Sequence, residues 1–152
     1  MNLTLYITNK GGKYLVYTPE NMAKIEVTQD GEVYKLDTPE LVAKWFAFKN
    51  LIINKVDIVL KEWLDRDNTA VEDALFEFDE TARQYRRNSA RWEGVVVEKA
   101  VLAWDMWHIK ESWKQTASES VLSEMPYELA SILKAVISGA VYGGVSDTDF
   151  FV

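Results

Sequence analysis

Apolar and polar residues alternate with a period of two in the first part of the chain, which is the pattern of half-buried β-strands. The strands that this alternation predicts cover residues 3–8, 14–18, 25–28 and 33–36. The last two flank Asp30-Gly31, and Asp-Gly favours a tight hairpin because both turn positions require positive φ. We therefore predict an antiparallel β-meander of three or four strands over residues 1–37.

Beyond residue 37 the apolar residues recur every three or four positions, which predicts helices. Thr38-Pro39-Glu40 is a strong helix start, because the hydroxyl can cap free amides and proline fits the first turn. The helices that the spacing predicts cover residues 38–64, 71–92, 96–116 and 126–142. Gly94 is expected to end the second helix and Gly143 the fourth. The third helix is apolar nearly all round, so we expect it at the centre.

These elements together predict an α+β fold, in which the β-meander packs on a bundle of four α-helices over residues 38–144. Residues 145–152 are left as a C-terminal tail that packs back or extends the sheet. A chain of 152 residues with 48% apolar residues has the size and the core material of a single domain.

The chain contains no cysteine, so it can form neither a disulfide nor a thiolate metal site. Its first residues do not resemble a secretion signal, and its most apolar segment, residues 129–142, is too short to span a bilayer. These features favour a cytoplasmic protein without membrane contacts.

Residues 9–13 and 65–69 resemble the beginnings of two ligand-binding motifs. Asn9-Lys10-Gly11-Gly12-Lys13 follows a strand, as a phosphate-binding loop does, but a second strand follows it instead of a helix. Residues 65–69 begin like a calcium-binding loop, but Ala70 and Phe76 stand where that loop requires Gly and Glu. We predict no cofactor and no metal site.

The single histidine, His108, lies between Asp105 and Ser112 on the third predicted helix. Three side chains along one helix are poorly placed for nucleophilic catalysis, which needs the acid and the serine on opposite ring nitrogens. We predict no catalytic residue, although two carboxylates that folding brings together remain an alternative, and with them an enzyme.

The charge distribution is the strongest functional signal in the sequence. Residues 57–80 contain nine acids and two bases, which accounts for the whole net charge of −7. We predict that these acids form a partner-binding surface: Asp57, Glu62, Asp65, Asp67, Glu72, Asp73, Glu77, Asp79 and Glu80. The arginines at positions 83, 86, 87 and 91 are expected on a solvated helix face, because an acidic chain disfavours direct nucleic-acid binding.

Two functions are consistent with this pattern. The first is a non-enzymatic module that binds a basic surface of a partner protein, such as an inhibitor or nucleic-acid mimic of the phage or mobile-element type. The alternative is an assembly subunit that oligomerises, for example as a dimer, through the predicted helix over 71–92 or through exposed aromatic side chains.

Overall fold

The computed structural model describes residues 1–143, except for the side chains of residues 90 and 119. The strands are β1 Asn2–Lys10, β2 Lys13–Tyr17, β3 Glu26–Gln29, β4 Glu32–Lys35, β5 Ile53–Leu60, β6 Phe76–Asp79, β7 Gln84–Arg87 and β8 Val101–Trp104. The helices are α1 Pro19–Ala23, α2 Pro39–Phe48, α3 Asp65–Glu72, α4 Ser89–Ala100, α5 Glu119–Ser123 and α6 Tyr127–Tyr142. The mixed α+β class is confirmed, and the predicted tail over 145–152 lies outside the described residues.

A four-stranded antiparallel sheet has the order β2-β1-β5-β8. The predicted N-terminal hairpins are both present. Gly11 and Gly12 connect β1 to β2 with φ of 60° and 85°, and Asp30 and Gly31 connect β3 to β4 with φ of 54° and 81°. These positive angles are the reason that the sequence needs Gly or Asp at the turns. The single meander was wrong, however, because β3 and β4 form a separate two-stranded sheet.

The four-stranded sheet has a hydrophobic core on each face. Successive side chains of β1 point to opposite sides, so Leu5 and Ile7 join one core while Tyr6 joins the other. The larger core contains residues of β5, β8, α4, α5 and α6, and the smaller one lies under α1, α2 and the β3–β4 hairpin. Each fully buried aliphatic side chain stabilises the fold by about 1.5–3 kcal/mol.

The predicted helix over residues 38–64 was correct at its start and wrong in its length. The Thr38 hydroxyl accepts a hydrogen bond from the Leu41 amide at 3.2 Å, as expected for an N-cap. The helix α2 ends at Phe48, because Asn50 adopts a left-handed φ of 59° and the Leu51 amide donates to the Phe46 carbonyl at 2.7 Å. The residues that follow form β5, which pairs with both β1 and β8 at the centre of the sheet.

The predicted helix over residues 71–92 does not form. The helix α3 ends at Glu72, and the segment continues as the β6–β7 hairpin before α4 begins at Ser89. Its turn is fixed by the Asp79 carboxylate, which accepts the amides of Thr81 and Ala82 at 2.9 and 3.2 Å. Phe76 and Phe78 alternate with acids over this stretch, and the period of two prevails over the spacing of three and four.

The two remaining helix predictions met different outcomes. The predicted helix over 96–116 is replaced by the end of α4, by β8 and by two 3-10 turns, and Gly94 lies inside α4 instead of ending a helix. The predicted helix over 126–142 is confirmed as α6, which ends at Gly143 with a left-handed φ of 66°. The described residues thus form six helices that do not make a four-helix bundle.

Candidate functional site

Asp67 is the one predicted partner-binding acid that lies inside the protein. Its side chain is only 4% exposed, and the Lys61 ammonium lies 2.7 Å from its carboxylate, with the Lys99 ammonium at 3.8 Å. The backbone amide of Leu64 donates to the other carboxylate oxygen at 3.0 Å, which caps the start of α3. The hydrogen bonds from Lys61 and from the Leu64 amide hold the Asp67 pKa below its usual value. Asp67 therefore stabilises the N-terminal end of α3 and is too buried to contact a partner protein.

Three other predicted acids lie outside the hairpin. Asp57 is on β5, where its carboxylate accepts a hydrogen bond from the Thr4 hydroxyl at 2.8 Å. Glu62 is in the connection between β5 and α3, and Asp65 is in the first turn of α3, where a negative charge interacts favourably with the helix dipole. All three side chains are exposed.

Five predicted acids come together on α3, the β6–β7 hairpin and the segment between them. Glu72 and Asp73 are exposed and line one cleft of about 560 Å³ together with Phe76 and Tyr85. The remaining three acids, Glu77, Asp79 and Glu80, line a smaller cleft of about 290 Å³. The structure therefore concentrates part of the predicted acidic surface between the end of α3 and the turn of the β6–β7 hairpin.

Arg83, Arg86 and Arg87 lie on the hairpin beside these acids, whereas Arg91 is exposed on the helix α4, as predicted. The strand register places Arg86 opposite Glu77 and Arg87 opposite Phe76. Arg86 forms an ion pair of 2.6 Å with Asp79. The Glu77 carboxylate, in contrast, accepts a hydrogen bond of 3.0 Å from the uncharged side-chain amide of Asn88. The hairpin region from residue 72 to 87 thus holds five carboxylates and three guanidinium groups, so its negative charge is weaker than the sequence indicates.

The hairpin also exposes a group of aromatic side chains that the sequence reasoning missed. Phe76, Phe78 and Tyr85 are 48%, 51% and 71% exposed. Phe78 and Tyr85 are cross-strand partners whose rings meet edge to face with centroids 5.3 Å apart. In the predicted helix over 71–92, Phe78 and Tyr85 belonged to the face that packs on a neighbouring helix, and Phe76 did not. The alternation Phe-Glu-Phe-Asp was the signal that could have identified a strand with an aromatic face.

The aromatic face of the β6–β7 hairpin continues into the cleft that Glu72 and Asp73 line. Side chains on a strand alternate between faces, so Phe76 and Phe78 share one face and Glu77 and Asp79 the other. Tyr85, opposite Phe78, lies on the aromatic face and lines the cleft with Glu72 and Asp73. We call Glu72, Asp73, Phe76, Phe78 and Tyr85 the aromatic-acidic surface.

The residues that resemble a phosphate-binding loop or a catalytic group in the sequence have other roles in the structure. The loop at Gly11–Gly12 is a hairpin turn, and the Gly12 amide donates to the Asn9 side chain at 3.1 Å. Asp105 and His108 do not share a helix, and the Asp105 carboxylate accepts the Asp57 amide at 2.9 Å. Within residues 1–143, no three acid or histidine side chains are grouped so that they could hold a metal ion.

The proposed oligomerisation seam over residues 71–92 is not a continuous helix face, since β6 and β7 occupy its middle. Along the described part of the chain, no helix has the length and apolar character required to cross a membrane. The comparisons found no match to this chain among protein-family models, curated proteins or solved structures.

Proposed function

We propose that this protein is a non-enzymatic binding module that captures an arginine-containing segment of a partner protein on the aromatic-acidic surface. The observation that carries the proposal is that the exposed rings of Phe76 and Tyr85 line one cleft with the carboxylates of Glu72 and Asp73. Phe78, the cross-strand partner of Tyr85, extends the same aromatic face. The surface is narrower than the nine predicted acids. Seven of the nine are left out: Asp67, which is buried, Asp57, Glu62 and Asp65, which lie elsewhere, and Glu77, Asp79 and Glu80, which line the smaller cleft.

The carboxylates supply the charge complementarity. Glu72 and Asp73 are exposed and make no ion pair with any other residue in the described range. A carboxylate at the rim of an interface accelerates the approach of a cation and contributes to its orientation. A guanidinium fits this role well because its planar donors match a carboxylate with two hydrogen bonds.

The aromatic rings supply a contact that charge alone does not provide. Exposed aromatic side chains are enriched at the centres of protein interfaces. A guanidinium that lies over a Tyr or Phe ring is attracted to the ring face by about 0.5–1 kcal/mol at an exposed site. An arginine can therefore contact Tyr85 or Phe76 and a carboxylate of the same cleft at the same time. Mimicry of nucleic acid is not part of the proposal, because three arginines share the hairpin with the acids.

The test uses a synthetic peptide of alternating arginine and serine, with citrulline in place of arginine as the uncharged comparison. Isothermal titration calorimetry should show saturable binding of the arginine peptide and none of the citrulline peptide. The affinity should fall as salt rises from about 0.05 M to about 0.5 M, because exposed charges are screened.

Two variants with the same net charge separate this surface from general electrostatic attraction. Glu72→Lys/Asp73→Lys should weaken binding by at least about tenfold, whereas Glu26→Lys/Glu32→Lys, on the β3–β4 hairpin, should change it much less. Tyr85→Ala, which leaves the charge unchanged, should weaken it about three- to fivefold. Equal losses in the two charge variants, or an unchanged affinity in Tyr85→Ala, would contradict the proposal.

A further inference from the structure

A third cleft, of about 400 Å³, lies at the four-stranded sheet and contains no residue of the β6–β7 hairpin. It is formed by the end of β1, by Tyr14 of β2, by the connection from α2 into β5, and by the 3-10 turn over residues 106–108. A volume of this size is within the range of small-molecule sites.

The polar side chains of this cleft have hydrogen-bonding capacity that the protein does not use. Asn50, Asn54 and His108 line the cleft, and none of the three side chains makes a hydrogen bond to another residue in the described range. The Asn9 side chain uses only its oxygen, which accepts from the Gly12 amide. Its amide hydrogens remain available. Thr8, in contrast, is satisfied internally, because its hydroxyl donates to the Ile52 carbonyl at 2.8 Å.

Asn50 also occupies a backbone position where glycine is the usual residue. Its φ of 59° lies in the left-handed region at the end of α2. The hydrogen bonds from the Asn50 amide to Ala47 and from the Leu51 amide to Phe46, of 3.0 and 2.7 Å, fix this conformation. The backbone thus holds the carboxamide at the cleft, in a conformation that asparagine tolerates better than most residues do.

The chemistry of the lining limits the ligand. The described residues of the lining include no Asp, Glu, Lys or Arg, and three aliphatic side chains that are not fully buried form the walls: Leu51, Ile52 and Ile109. The described lining therefore offers no carboxylate, ammonium or guanidinium group to a charged ligand, which favours an uncharged one. A carboxamide presents a donor beside an acceptor in one plane, which matches the edge of a nucleobase, as asparagine matches adenine. Aliphatic walls suit the flat faces of such a ring.

We infer that this cleft binds the base of an uncharged nucleoside, with the carboxamides of Asn50 and Asn54 forming hydrogen bonds to its polar edge. The site shares no residue with the aromatic-acidic surface, so it is independent of the proposed partner binding.

The test is an NMR titration of the ¹⁵N-labelled protein with adenosine, cytidine and uridine, and with glucose as a polar comparison. At least one nucleoside should saturate shifts of the amides around residues 50–54 and 108. Glucose should not. The inference is overturned if no nucleoside saturates below about 10 mM, if glucose binds as well as the nucleosides do, or if the shifts lie elsewhere.

Two variants connect the binding to the proposed side chains. Asn50→Gly keeps the left-handed backbone without strain, and Asn54→Asp keeps the side-chain shape but removes both donors. Each should weaken nucleoside binding about five- to tenfold. Asn2→Asp, the same substitution at the far end of β1, should not. Glu72→Lys/Asp73→Lys should leave nucleoside affinity unchanged, so a failure of one site is distinguishable from a failure of the other. Unchanged affinity in both cleft variants would overturn the assignment.

Discussion

The pair Ile58 and Val59 tests the central strand β5, which replaces the second half of the predicted helix over residues 38–64. Ile58 is fully buried in the larger core, whereas its neighbour Val59 points to the other face of the sheet and is 38% exposed. The predicted helix would bury the opposite residue. Val59 lies on its apolar face with Val56 and Trp63, and Ile58 does not. Truncating each residue to alanine therefore distinguishes the two folds.

The magnitudes follow from the burial of each side chain. Ile58→Ala removes buried methyl groups and leaves a cavity, which costs about 2–5 kcal/mol. Val59→Ala removes partly exposed groups and some strand propensity, which costs about 1 kcal/mol or less. For a chain of this size the first change should lower the melting temperature by roughly 5–15 °C.

Urea denaturation followed by tryptophan fluorescence provides the assay, since Trp104 and Trp113 lie in the same core as Ile58. If the wild-type protein and both variants share the same dependence of unfolding free energy on urea concentration, a shift of the urea midpoint reports a change in stability. Equal losses for the two variants, or a larger loss for Val59→Ala, would refute the strand assignment.

Two further predictions concern titratable groups near α3 and α4. Asp67→Asn should lower the urea midpoint at neutral pH, because the charged pairing with Lys61 is lost. Since folding lowers the Asp67 pKa, its contribution is present above the unfolded pKa of about 4 and is lost as the pH falls through the folded pKa. The gap to wild type should therefore narrow in acid, and a constant gap from pH 7 to pH 2 would exclude this cause. Glu93 is half-buried, and burial raises its pKa, although the nearby Lys134 opposes this. A raised pKa means that the ionised carboxylate destabilises the fold above the folded pKa, so Glu93→Gln should be more stable at pH 7 by less than about 1 kcal/mol. This gain should disappear below about pH 4, and a destabilised variant at pH 7 would contradict the reasoning.

The parts of the fold that could be predicted from sequence are those fixed by local chemistry. Gly11-Gly12 and Asp30-Gly31 determine their turns through backbone angles, Thr38 caps α2 through its own hydroxyl, and Gly143 ends α6. Each of these signals depends on a few adjacent residues and not on distant packing. Local chemistry therefore identified four strands, the start of one helix and the whole of another.

The errors arise where one apolar segment fits two periods. Over residues 52–60, Ile52, Val56 and Val59 suit a helix, whereas Val56, Ile58 and Leu60 suit a strand. The choice depends on pairing with β1, about 50 residues away, and no local pattern contains that information. The hairpin over 76–87 posed the same ambiguity.

The candidate site could be predicted only in part from the sequence, because ion pairs and burial also depend on the fold. The sequence shows how many charges a segment contains, but it does not show that Asp67 is buried in an ion pair with Lys61 or that Arg86 pairs with Asp79. The aromatic rings of the hairpin were hidden by the wrong period. The concentration of acids near residues 72–80 was visible, and the proposal that they bind a partner depends on their exposure.

The proposed docking of an arginine-containing segment is tested most directly by mapping the bound peptide onto the protein. An NMR titration of the ¹⁵N-labelled chain with the arginine–serine peptide reports every amide at once. We expect saturable shifts concentrated between residues 72 and 87, which disappear with the citrulline peptide. Shifts spread over all acidic regions, or absent from the β6–β7 hairpin, would contradict the account.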